Sequence, residues 1–158
     1  MLRRIMRQWA TGVTVLTVRQ GDEKRGMTCN SFTSVSDNPA TVLVCVRINT
    51  RTHELITESG RFTVNFLPAE HQDYADRFSG MHGEIHDRFD DVPHKSGPSG
   101  APWLDGALGY LDCRVIDGHG GGTHTIFVAE VDFAEPGAEE AAPLLRFRSR
   151  YTGLVKPD

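Results

Sequence analysis

The run Ala40–Ile48, ATVLVCVRI, is apolar at nearly every position and rich in β-branched residues. That pattern predicts an interior strand covered on both faces rather than an amphipathic helix. A strand of this kind obliges the rest of the chain to supply neighbours. GVTVLTV (Gly12–Val18), MTCNSFTSVS (Met27–Ser36), RFTVNFL (Arg61–Leu67), ALGYLDCRVI (Ala107–Ile116) and HTIFVAEVDF (His124–Phe133) have strand character, and PLLRFRSRYTGL adds a last strand and a tail. In two of these the period of two is explicit: Leu111, Cys113 and Val115 alternate with Asp112 and Arg114, and Phe127, Ala129 and Val131 with Glu130 and Asp132. Strands outnumber helices and do not alternate with them as a βαβ series requires. The expected fold class is all-β with peripheral helices, an antiparallel barrel, since closure removes the edges that short strands otherwise expose.

Three helices are expected around this core. Leu2, Ile5, Met6 and Trp9 follow helical spacing between arginines, predicting a short amphipathic helix lying on the domain and ended by Gly12. NTRTHELITESG predicts a helix capped by Asn49 or Thr50 and stopped by Gly60, with Leu55 and Ile56 inward. Pro68 opens a third, in which Glu70 and Asp73 come early and Arg77 late, an order that suits the helix dipole. The segment QGDEKRG turns the chain back, and the Gly-, Pro- and Asp-rich stretch His82–Gly106 reads as an excursion from one domain spanning 1–158.

With 39% hydrophobic and 24% charged residues, the 158-residue chain has a globular composition. A net charge of −4 argues against a broad nucleic-acid surface, no apolar run approaches bilayer-spanning length, and the basic N-terminus lacks the apolar segment of a signal peptide. Cys29, Cys45 and Cys113 are odd in number and widely separated, which fits neither a disulfide framework nor a zinc site and points to the reducing cytoplasm. No metal is expected, and neither a G-x-G-x-x-G fingerprint nor a phosphate-binding G-x-x-x-x-G-K-[ST] loop occurs.

Two segments stand out chemically. Thr28–Ser36, TCNSFTSVS, carries five hydroxyls and an asparagine in nine residues. Such a strand offers donors and acceptors to the edge of a flat heterocycle, or equally forms a solvated edge. Arg47–His53, RINTRTH, sets cations and hydroxyls at a helix start, where an anion is stabilised by free amides; a capped, solvated helix start accounts for it as well.

The order of segments from Trp9–Thr17 through Gly26–Ser36, Val42–Val46, Gly60–Leu67, Leu108–Val115, His124–Val131 and Pro143–Phe147 to Arg150 and Tyr151 resembles the short-chain flavin reductase family over nearly the whole chain. That family includes reductase components of two-component aromatic monooxygenases. The resemblance implies an antiparallel, FMN-binding split β-barrel, a homodimer, and reduction of FMN or FAD by NADH or NADPH for a partner monooxygenase. It implies flavin contacts from Thr28, Asn30, Ser31, Ser34, Val35 and Ser36. It places Cys45, Val46, Arg47 and Asn49 beneath the flavin, Arg51, Thr52 and His53 at its phosphate, and Phe62, Asn65 and Tyr151 facing the ring. His124 corresponds to a histidine on the nicotinamide side. Many relatives carry Gly-Asp-His-Thr where this chain has Gly122-Thr123-His124-Thr125, so the carboxylate that would orient His124 is missing, with Asp112, Glu130 or Asp132 as electrostatic substitutes. Two alternatives stay open: a tightly bound FMN serving a second substrate such as a quinone or nitroaromatic, and a non-catalytic flavin- or haem-binding module.

Overall fold

The structure, a computed structural model, describes residues 1–80, 87–138 and 140–154. Residues 82–86 of the expected excursion and the last four residues of the expected domain lie outside them.

Seven strands form the main sheet: β2 (Thr14–Gln20), β3 (Glu23–Cys29), β4 (Thr33–Asp37), β5 (Ala40–Arg47), β6 (Arg61–Phe66), β9 (Gly109–Gly121) and β10 (His124–Pro136). Their order is β3-β2-β6-β9-β10-β5-β4, every pairing antiparallel. A small sheet joins β1 (Thr11–Gly12), β11 (Leu145–Phe147) and β12 (Arg150–Thr152), and β7 (His94–Ser96) pairs with β8 (Pro102–Leu104). The all-β core with peripheral helices is therefore as expected, but the barrel is not: the main sheet is open, with β3 and β4 as its two edges and no ladder between them.

The cause lies in Met27–Ser36, expected as one strand. It breaks at Asn30–Phe32, where the chain leaves one sheet edge and enters the other. A three-residue connector spans roughly 14 Å at most, so the sheet must curl until its edges approach at this end. The approach is held by a side chain instead of a ladder. Ser31 Oγ donates to the Cys45 carbonyl (3.1 Å) and accepts from the Cys45 amide (2.9 Å).

Strand β5 also differs from expectation. Val42, Val44 and Val46 are buried, while Leu43 and Cys45 on the opposite face are only half-buried. The segment QGDEKRG turns only at Gly21 and Asp22, Gly21 taking φ +58, and Glu23–Gly26 already belong to β3. Gly122 and Thr123 alone separate β9 from β10, so β9 runs on through Asp117–Gly121, past the expected end at Ile116. The tail folds as a hairpin whose Arg148 (φ 49) and Ser149 (φ 63) take the two left-handed conformations of a tight turn.

Helix α2 (Arg51–Ser59) follows its sequence. Thr50 Oγ1 accepts from the His53 amide, Gly60 closes the C-terminus at φ +66, and Leu55 and Ile56 join Val44, Phe62 and Val64 in the main core. After a 3-10 turn at Ala69–His71, α3 (Gln72–Phe78) buries Tyr74, Ala75 and Phe78 in a second core with Phe89 and Leu104. Helix α1 (Leu2–Met6) departs from expectation: it ends well before Gly12, and Leu2, Ile5, Met6 and Trp9 are exposed instead of lying on the domain.

Candidate functional site

A cleft of about 780 Å³ opens where β3, the start of α2 and the end of α3 meet. Its floor is the stretch Lys24–Thr28; one wall is Arg47 with Thr50–Thr52, and the other is Phe78–Gly80 with Asp87–Phe89. Gly26 lets the floor meet α3 closely, since a Cβ there would stand 2.7 Å from two ring carbons of Phe78. Thr28 Oγ1 ties the floor to α3 by donating to the Ala75 carbonyl (2.6 Å).

Among the described residues the lining holds Lys24, Arg25, Arg47, Arg51 and Arg88 against one carboxylate, Asp87. Their states differ. Arg51 is clamped by Glu23 (2.6 Å) and Glu54 (2.8 Å), which raise its pKa further and make it a tie between β3 and α2. Arg47 pairs with no carboxylate among the described residues, and the amides of Arg51 and Thr52 at the start of α2 have no partner among them either. Asn49, at φ +61, makes the turn that aims this helix start at the cleft.

Thr28, Arg47, Arg51 and Thr52 of the predicted site therefore converge here. Ser31 and Cys45 lie at the sheet-edge junction, and Ser31 Oγ also meets Cys29 Sγ at 3.0 Å. Burial raises the Cys29 pKa above its ordinary value. His53 touches Thr125 Oγ1 through Nε2 (2.8 Å) and packs its ring against Phe127. Asn30, Ser34 and Val35 are exposed on the connector and edge strand, Val35 at the β4 irregularity, and Ser36 Oγ accepts from the Asn38 amide (3.2 Å).

Other expected residues are not brought to the cleft. Val46 and Phe62 are core, and Asn65 is fully buried. Its Nδ2 donates to the Val15 carbonyl (3.0 Å) and Thr17 Oγ1 (3.2 Å), and its Oδ1 accepts from the Leu104 amide (2.8 Å). Tyr151 belongs to the small sheet, with Arg146 stacked 4.6 Å from its ring and burial raising its pKa.

His124 sits opposite Arg47 in the β10–β5 register, next to the cleft wall. None of the expected substitute carboxylates serves it. Asp112 is buried among Thr63, Trp103 Nε1 (3.0 Å) and the Ser99 amide (2.7 Å), while Glu130 and Asp132 pair with Arg114. Instead the Thr123 hydroxyl meets His124 Nδ1 at 2.9 Å, a neutral partner in place of a charged one.

The sequence reading missed Lys24, Arg25 and Arg88. The first two lie in a stretch read as a turn, and Arg88 in one read as an excursion; only the basic pair Lys24–Arg25 was a usable signal. Among the described residues no three His, Cys, Asp or Glu side chains come together as a metal set, and no helix is long and apolar enough to cross a membrane.

The donor set suits a phosphorylated organic group. The volume lies within the range of small-molecule sites, and the excess of cations with free amides matches phosphate chemistry. Residues 6–155 match the family described as "Flavin reductase like domain". The chain is 35% identical over 153 residues to the reductase subunit of a flavin-dependent monooxygenase from Mycobacterium tuberculosis, covering 96% of this chain and 80% of that one. It is 44% identical over 133 residues to an NADH-dependent FAD reductase from Streptomyces globisporus, covering 82% and 72%. The solved structure of an NADH:FAD oxidoreductase from Streptomyces globisporus C-1027 superposes with a TM-score of 0.91 at 38% identity, covering 98% and 92%. This chain belongs to the flavin reductase-like family.

Proposed function

We propose that this chain is an NAD(P)H-dependent flavin reductase that supplies reduced flavin to a partner monooxygenase. The observation that carries the reading is the cationic cleft at the start of α2, beside the Arg51 and Thr52 amides, which have no partner among the described residues. Relatives described as reductase subunits of monooxygenases supply the partner class. Arg47 and the amides of Arg51 and Thr52 hold the phosphate of the flavin, and Thr28 on the floor supplies a hydroxyl acceptor. A bound flavin supplies the two-electron chemistry that no side chain here can perform. The protein orients and excludes water; no strong general base is called for. His124, oriented by Thr123, positions the nicotinamide.

We further infer one domain over 1–158, a cytoplasmic setting consistent with three free cysteines, and a homodimer. The dimer is supported by apolar side chains left in water, Trp9 at 68% and Leu2 at 73% exposure, which a second copy would cover.

Oxidation rates of NADH and NADPH with FMN, FAD and riboflavin test the activity. We expect turnover with at least one phosphorylated flavin, and release of that flavin on dialysis. The His124→Ala variant should raise the KM for the nicotinamide while leaving flavin affinity unchanged. Absence of oxidation with every flavin would refute the reading, and a flavin that survives dialysis and stays bound when reduced would favour a resident prosthetic group.

A further inference from the structure

The two walls of the cleft are electrostatically unequal. On the α2 side Arg51 is neutralised by carboxylates, and Arg47 with the helix amides suffices for one phosphate. Across the floor stands a second basic group that this phosphate does not explain. Arg88 is half-buried, and its Nη1 donates only to the carbonyls of Phe78 (3.1 Å) and Gly26 (3.3 Å). No carboxylate among the described residues pairs with it. Arg25 lies near enough that its charge adds to burial in lowering the Arg88 pKa. Arg25 shares Glu23 (3.1 Å) with Arg51, so one carboxylate faces two guanidiniums.

Both arginines line the cleft, and among the described residues Arg88 has no paired carboxylate while Arg25 shares its own with Arg51, so their mutual repulsion is relieved when an anion joins them. Backbone carbonyls fix Arg88 in place without cancelling its charge, so it is preorganised for a ligand anion. We propose that Arg88 and Arg25 form a second phosphate seat, across the cleft from the α2 start, for the nucleotide half of a dinucleotide ligand. The inference rests on the flavin-reductase reading and deepens it. The ligand chemistry is a phosphate beyond the flavin's own, drawn either from the diphosphate of FAD or from the 2′-phosphate of NADPH.

Flavin-fluorescence titrations of the parent, Arg25→Gln, Arg88→Gln and Arg88→Lys with FAD and FMN test it, alongside KM values for NADH and NADPH. A lost charge-assisted phosphate contact should weaken FAD binding about tenfold in both glutamine variants and leave FMN within about twofold, with Arg88→Lys keeping most of the affinity. A rise confined to the NADPH KM, with FAD unmoved, also supports the seat and assigns it to the nicotinamide nucleotide. Equal losses for FAD and FMN, or no change with any ligand, overturn it while leaving the activity standing. Should Arg88→Gln fail to fold, Arg25→Gln decides alone, its side chain being 42% exposed and bonded to the backbone only at its neighbour, the Lys24 carbonyl. A parent protein that binds neither flavin ends both readings before any variant is made.

Discussion

Ser31 shows how a polar side chain spends its hydrogen bonds. Its hydroxyl both donates to and accepts from the backbone of Cys45, in the position a strand ladder would otherwise fill. Ser31→Ala leaves that amide and carbonyl half-buried without their partner. The expected cost is about 1 kcal/mol, the low end for an unmade buried bond because water partly reaches the site. Urea unfolding checks it, and an unchanged midpoint would mean the junction is held by something else. The same residue marks where the sequence was legible and where it was not. The TCNSFTSVS stretch announced itself as polar and functional, and Thr28 does reach the cleft. A serine bonded inside the protein and one offered to a ligand look alike in one dimension. Asn65 is the sharper case: the family resemblance implied a ring-facing role, yet its side-chain bonds go to β2 and the Leu104 amide.

At the scale of elements, legibility followed how local the causes were. Helix α2 was readable because its cap, its inward pair and its stop all lie within a dozen residues. The break between β3 and β4 was not, because it is a crossing from one edge of the sheet to the other, and Asn30–Phe32 hold no glycine or proline to mark it. The cleft floor was hidden for a similar reason: Gly26 is dictated by contact with α3, far away in sequence. Gly26→Ala would drive a methyl against Phe78, a ring that is itself fully buried, with Phe89 3.3 Å away on another side. Overpacking of this kind should destabilise by about 1–3 kcal/mol and shift the floor enough to weaken flavin binding. Gly12→Ala, where no atom lies within 4 Å, is the matched control and should stay within about 0.5 kcal/mol. Equal effects of the two substitutions would show that steric contact at Gly26 is not what selects glycine.

For the whole molecule, exposed apolar side chains and buried ionisable ones make separate statements. Leu2, Ile5, Met6 and Trp9 leave an apolar surface beside a basic arm, and gel filtration should give twice the monomer mass. Replacing Ile5 and Trp9 by serine should shift the species toward monomer; a wild-type monomer at working concentration would remove the dimer. Buried thiols act on stability instead. Burial, reinforced by the Asp112 and Asp132 carboxylates, pushes the Cys113 pKa from an ordinary 9.0 up to about 12. Below pH 9 both folded and unfolded chains keep that proton, and the group contributes no pH dependence. Between pH 9 and 12 the unfolded chain releases the proton while the folded chain retains it, so rising pH favours unfolding by about 1.4 kcal/mol per unit from this thiol. Cys29 and the tyrosines Tyr74, Tyr110 and Tyr151, all raised chiefly by burial, add in the same direction. Urea midpoints measured from pH 8 to 11 should therefore fall, and Cys113→Ala should fall less steeply from a lower starting stability. Parallel slopes for the two proteins would mean that Cys113 ionises as freely in the folded chain as in the unfolded one, and that the main core is wetter around β9 than its packing indicates.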